Sequence, residues 1–161
     1  MILLSIDPSL RRLGWASFDT EKMYGLDKLT SDAWNFGTVS PGGEGRLDRL
    51  YRLRKFFKGL TDVNHLILEE PSFYASTKGA IAAKEGYLTD LGIVLGMASM
   101  ACYEADIWMY KPQVWKGSVS KEVTHAKLFR TFEDANHYRL DHDVVDAIML
   151  LYFHLKTINI C

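Results

Sequence analysis

Residues 65–71 read HLILEEP, and this stretch decides the fold. A short apolar run, closed by two carboxylates and stopped by a proline, reads as a buried strand with acids at its C-terminal end. It echoes residues 1–7, MILLSID, another apolar run ending in an acid, Asp7. Between the two lie LGWASFD (13–19) and AWNFGTV (33–39), which read as strands, and PGGEG (41–45), which breaks the chain before a basic helix over 46–60. The first three strands therefore form a meander, and the fourth arrives only after a helix. Beyond it the patterning predicts a long helical region over 77–103, a strand DIWMY (106–110), a helix over 121–132 and a closing helix within DHDVVDAIMLLYFH (141–154). The order β-β-β-α-β-α-β-α-α predicts an α/β fold. Its sheet is mixed and five-stranded, a three-strand antiparallel meander followed by alternating helices and strands, with helices on its faces.

A chain of 161 residues, 48% hydrophobic and 24% charged, fits a single domain spanning 1–161 that needs no disulfide or metal to complete its core. The two cysteines, Cys102 and Cys161, have no partners at zinc-ligand spacing, which argues against structural zinc and for a reducing compartment. The longest apolar stretch, LGIVLGMASMAC (91–102), is too short to span a bilayer, and the N-terminus lacks a basic leader. No membrane partner and a cytoplasmic location are expected.

A net charge of −1 gives no global sign of a polyanionic partner, but the charge is unevenly distributed. Five cations (Lys111, Lys116, Lys121, Lys127 and Arg130) face one acid, Glu122, between positions 111 and 130, with Trp108, Tyr110 and Trp115 at the start. Cations with interleaved flat rings suit nucleic acid, since phosphates need charge and exposed bases need stacking surfaces. The other basic run, RLDRLYRLRKFFKGL (46–60), is more simply an amphipathic helix, with Leu47, Leu50, Tyr51, Arg54 and Phe57 at helical spacing. The region 77–103 is rich in glycine and alanine, which calls for close approach by this chain's sheet, a second subunit, or both.

In the closing segment Asp141 suits helix capping, whereas Asp143 and Asp146 are three apart on one face beside the stripe Val145, Ile148, Met149, Tyr152 and Phe153. Asp146 lies a turn inside an apolar helix, where capping does not explain it. If the first and fourth strands are neighbours, Asp7 and Glu69 end side by side, and a helix across that edge can add Asp143 and Asp146. Four convergent carboxylates repel one another unless hard divalent cations lie between them, and oxygen ligands select Mg²⁺ or Mn²⁺. A pair of such ions suits phosphodiester hydrolysis.

The motifs IDPSLRRLGW, LILEEPSF, PQVWKGSVSKE and DHDVVDAI, in this order, resemble the RuvC family of Holliday-junction resolvases within the ribonuclease H-like superfamily, over residues 6–151. The resemblance implies a homodimeric endonuclease that nicks four-way DNA junctions symmetrically, with two Mg²⁺ or Mn²⁺ ions per site. Carried over, it makes Asp7, Glu69, Asp143 and Asp146 the metal-binding and catalytic acids. Lys116 and Lys121 become catalytic lysines beside the scissile phosphate, with Lys111 a further DNA contact. Phe73, or its neighbour Tyr74, becomes an aromatic that stacks on a base. Glu70 alternates away from Glu69, and His142 reads as an ordinary helix-start histidine. The chain departs from the family in lacking a basic C-terminal extension; its compact length looks like phage-encoded relatives, acting in a bacterial or phage-infected cell. Alternatives are a related nuclease for flapped DNA or RNA/DNA hybrids, or a non-catalytic nucleic-acid-binding module. An actin-like phosphotransferase would need two domains, for which this chain is too short.

Overall fold

The structure is a computed structural model and describes residues 1–22, 26–71, 86–117 and 119–160. Five strands form one sheet: β1 (Ile2–Asp7), β2 (Leu13–Asp19), β3 (Trp34–Val39), β4 (Val63–Glu69) and β5 (Asp106–Tyr110), in the order β3-β2-β1-β4-β5. β1, β2 and β3 are joined antiparallel, whereas β4 runs parallel to β1 and β5 parallel to β4. The mixed, five-stranded sheet with a meander at one side is thus the expected one. β1 is central because its residues are apolar on both faces: Leu3 and Leu4 are both buried, on opposite sides.

Each face has its own core. On one, Leu4, Ile6, Leu13, Leu66 and Leu68 pack with α1 (Arg46–Phe57) and α2 (Tyr87–Ala101), through Leu53, Phe57, Val94 and Ala98. On the other, Leu3, Ala16, Phe18 and Ile67 pack with α4 (Lys121–Thr131) and α5 (His142–Thr157), through Leu128, Val145, Ile148 and Leu151. A one-turn helix, α3 (Pro112–Trp115), follows β5, with Pro112 at its first position where no amide hydrogen is needed.

Three local expectations change. The buried line of α1 is Leu53 and Phe57, while Leu47 is 81% and Tyr51 57% exposed, so the helix is rotated from the predicted stripe. α2 begins at Tyr87, after Gly86 at φ 78°, so helix does not run unbroken across 77–103. Among the described residues, which include the whole sheet, a Cβ at Gly92 or Gly96 would meet nothing within 4 Å, so those glycines do not serve close packing against the sheet. α5 is buried on more than one stripe: Val144 to Ile148 are all buried, including Asp146, because the helix lies between the sheet and α4. Cys102 is a free, buried thiol, and among the described residues no helix is long and apolar enough to cross a membrane.

Candidate active site at the C-terminal ends of β1 and β4

Ile6 lies beside Leu68 in the parallel register of β1 and β4, so Asp7 and Glu69 end adjacent strands at the same level. Alternation puts both on the α5 face, opposite Ile6 and Leu68, which face α1 and α2. α5 is registered on that face at three points. The Ser5 hydroxyl, buried within β1, donates to the Ala147 carbonyl at 2.6 Å. Further along, His154 bridges Tyr110 of β5 (2.9 Å) and His65 of β4 (3.0 Å).

At its start, the backbone of Asp143 rests on Gly14, where any Cβ would collide with the Asp143 carbonyl. Gly14 is the register partner of Asp7. A missing side chain in β2 thus lets the N-terminal turn of α5 come down beside the end of β1. Residues 143, 147 and 154 share one helical face, and Asp146 lies next to it. The acid that capping could not explain is 5% exposed and turned toward the strand ends.

Two cations divide the carboxylates between them. The Lys116 ammonium, just beyond α3, lies 3.1 Å from Glu69 and 3.2 Å from Asp146. Arg12, from the turn after β1, pairs with Asp143 at 3.2 Å and with Asp141. Asp141 occupies the N-cap position of α5, but its side chain makes no capping hydrogen bond, so the predicted cap is an ion-pair partner instead. Trp115 donates its indole N–H to Glu69 at 3.1 Å, and the Lys116 ammonium lies over its ring.

Neither cation pairs directly with Asp7. Burial pushes the Asp7 carboxyl well above its ordinary pKa, and Glu69, Asp146 and Asp143 push the same way against Lys116. Glu69 is raised too, by burial, although Lys116 and the Trp115 N–H oppose it. Burial alone would lower Lys116, but Glu69 and Asp146 outweigh it and the ammonium titrates above its ordinary range. Tyr87, at the start of α2, is raised by burial and by Asp7, Glu69 and Asp143, which places its phenol at the rim of the same cluster.

All four predicted acids and Lys116 therefore come together. Lys111 is exposed at the N-cap of α3, Lys121 opens α4, and Phe73 and Tyr74 lie outside the described residues. Tyr110 and Trp108 both pack against His154, and Trp108 remains exposed. His142 packs against the His125 ring, with centroids 4.3 Å apart. Arg12, Gly14 and Tyr87 were not singled out from sequence; Trp115 was, but as a flat ring for nucleic acid and not as a hydrogen-bond donor to Glu69. Only Gly14 left a signal, as a glycine inside a strand pattern, which often marks close backbone approach.

The donor set is all carboxylate oxygen, which fits a hard divalent cation such as Mg²⁺ or Mn²⁺. As they stand, no three His, Cys, Asp or Glu side chains among the described residues are disposed to hold an ion together. In this arrangement Lys116 pairs with Glu69 and Asp146, and Arg12 pairs with Asp143.

No protein-family model matches the sequence, and no curated protein matches it. Among solved structures, RuvC of Thermus thermophilus matches over 99% of this chain and 96% of its own, at 19% identity and a TM-score of 0.72. T. thermophilus RuvC in complex with a Holliday junction substrate matches over the same shares, at 18% identity and a TM-score of 0.71. The chain has the RuvC fold. That fold is ribonuclease H-like, and in this chain its mixed sheet carries Asp7 and Glu69 on neighbouring parallel strands, with Asp143 and Asp146 on the helix that crosses them.

Proposed function

We propose that this chain, acting over 1–161 as one nuclease domain, is a metal-dependent, structure-selective endonuclease that resolves four-way DNA junctions by paired symmetric nicks. The observation that carries the reading is the gathering of Asp7, Glu69, Asp143 and Asp146, from three elements, at the C-terminal ends of β1 and β4, with Lys116 between Glu69 and Asp146. Like charges gathered this closely oppose folding even with Lys116 and Arg12 beside them, which favours a ligand role over a purely structural one. The RuvC fold, solved in T. thermophilus with a Holliday junction substrate, supports the choice of DNA.

In this mechanism the four acids hold Mg²⁺ or Mn²⁺, and the chemistry the ions supply is activation of the attacking water and stabilisation of the leaving oxygen. Trp115 keeps the Glu69 carboxylate in place through its N–H. Arg12 fixes the first turn of α5 through Asp141 and Asp143. Lys116 and Lys121 hold the scissile phosphate and offset charge in the transition state, Lys111 holds a flanking phosphate, and Phe73 or Tyr74 stacks on a base at the opened crossover. The products carry 5′-phosphate and 3′-hydroxyl ends.

Paired cuts require two copies, and the exposed line of Gly92, Ile93, Gly96 and Met100 on α2 is the face we assign to the second one. The test is a nicking assay on a mobile four-way junction, a flap and an RNA/DNA hybrid, with Mg²⁺, Mn²⁺ or Ca²⁺. We expect symmetric nicks in the junction with Mg²⁺ or Mn²⁺, and Asp7→Asn and Asp146→Asn should abolish them while junction binding persists. Preference for the hybrid or the flap would replace this reading with another ribonuclease H-like nuclease; junction binding without any cleavage would leave a non-catalytic binding module.

A further inference from the structure

We propose that Trp115 is a positioning residue of the carboxylate site and that Lys116, seated on it, is this chain's own counter-ion there, which a divalent cation must displace. The inference rests on the reading of the four acids as metal ligands, and it concerns what those acids do before a metal arrives. Lys116 is only 19% exposed and touches both Glu69 and Asp146, from different elements, at 3.1 and 3.2 Å. It therefore bridges β4 to α5 and offsets a repulsion that would otherwise open the cluster. Trp115 supports this twice: its indole N–H donates to the same Glu69 oxygen, and its ring lies under the ammonium, 4.6 Å from Nζ to the centroid.

An ammonium and a divalent ion cannot share the same two carboxylates in a water-poor site without strong repulsion. Lysine has a flexible four-carbon stem, so the ammonium can leave the acids by rotating. The Trp115 face gives it a place to go that costs little, because cation and ring are already in contact. Glu69 meanwhile keeps the indole N–H, so the carboxylate stays oriented when the ammonium departs. The move would also turn a positive charge outward, toward the side from which a phosphate must approach.

The experiment uses the full chain with Ca²⁺ and Mn²⁺ alone as probes and reads affinity by calorimetry, without any DNA. Lys116→Met should bind either ion more tightly, by about tenfold or more, because no ammonium has to be displaced. Lys116→Arg, which keeps the charge, should stay near the wild-type affinity. Trp115→Phe keeps a ring but loses the N–H, and should bind ions more weakly than wild type. In the wild type, Ca²⁺ should change the Trp115 emission, taken as the difference between wild type and Trp115→Phe. That measurement stands even if Lys116→Met fails to fold.

Equal or weaker ion binding by a folded Lys116→Met, or a Trp115 emission indifferent to Ca²⁺, would overturn the inference; the resolvase reading, tested by nicking with the wild type, would stand apart from it. Tighter ion binding by Lys116→Met, together with a wild type that nicks no junction, would support the inference and sink the resolvase reading. If neither wild type nor Lys116→Met binds an ion, both fall.

Discussion

Gly14 shows how a single residue can decide a site it does not itself touch chemically. Its β2 position needs no left-handed backbone; what matters is the absent Cβ, because the Asp143 carbonyl lies where that carbon would be. Gly14→Ala should push the first turn of α5 away from β1, lowering the thermal midpoint by the equivalent of about 1–3 kcal/mol of overpacking. Because Asp143 moves with that turn, nicking should fall by roughly a hundredfold, the scale expected of a misplacement near 1 Å. Circular dichroism melting and a junction assay on the same preparation check both; wild-type nicking in a folded Gly14→Ala would sink the idea that this contact positions Asp143. At Asp146 the expectation is different. Asp146→Asn leaves Lys116 with Glu69 alone, so nicking should drop by a factor of about a thousand or more, as for loss of a group acting directly on the chemistry. Its melting temperature should barely change, because the like-charge repulsion on Asp7 is removed together with the ion pair.

At the scale of the element, α5 carries Asp143 and Asp146 and is tied to the sheet along its length. Ser5 anchors its middle and His154 its last turns, and His154 is fully buried between Tyr110 and His65. Burial, with the neighbouring His65, lowers the His154 pKa from 6.5 to about 4, so the imidazole is neutral in the fold. A histidine with a depressed folded pKa contributes stability that is present above pH 6.5 and is lost as pH falls toward 4, where the folded form too becomes protonated. The loss amounts to about 3 kcal/mol at its limit. His154→Gln cannot titrate, so denaturant midpoints of wild type and variant should diverge with pH between 6.5 and 4, the wild type losing more. Parallel curves would mean that His154 is not held neutral. Comparison of the two proteins also cancels the opposite slope contributed by the acids.

That opposite slope belongs to the whole molecule. Asp7 and Glu69 have raised pKa values in the fold, so the folded chain keeps protons that the unfolded chain has released. Their contribution is unfavourable at neutral pH and disappears as pH falls through the raised values toward the ordinary carboxylate range, the reverse of a salt-bridged acid. A divalent ion that binds only the folded state relieves the same repulsion and adds stability by mass action, about 2.7 kcal/mol at a hundredfold excess over the dissociation constant. The rise in melting temperature on adding Ca²⁺ should therefore be larger at pH 7 than at pH 5. A shift of equal size at both values would separate metal binding from these two acids.

How much of this could be read in the chain depends on the range of the interaction concerned. The α/β class, the meander and the two acid-ended strands were legible because alternation and strand-stopping residues are local: HLILEEP specifies a buried strand and its end within seven residues. Asp146 was legible as an anomaly for the same reason, a charge where the neighbouring residues demand burial. The rotation of α1 away from the predicted stripe was not legible, because which of two partly apolar faces is buried depends on the sheet beneath it. Nor was the fate of Asp141, whose carboxylate pairs with Arg12, a residue 129 positions earlier in the chain, instead of capping its own helix.

The sequence by itself thus determined the class of fold and most of its elements, and it marked Asp7 and Glu69 at strand ends and Asp146 inside an apolar helix, since each of these follows from patterns within one helix or strand. Only the tertiary structure decided how Glu69 and Asp146 share Lys116, how Trp115 holds both partners, and why Gly14 carries no side chain. Those are distances between segments far apart in the chain, fixed by packing two layers of helices on a twisted sheet, and local patterning carries no measure of them.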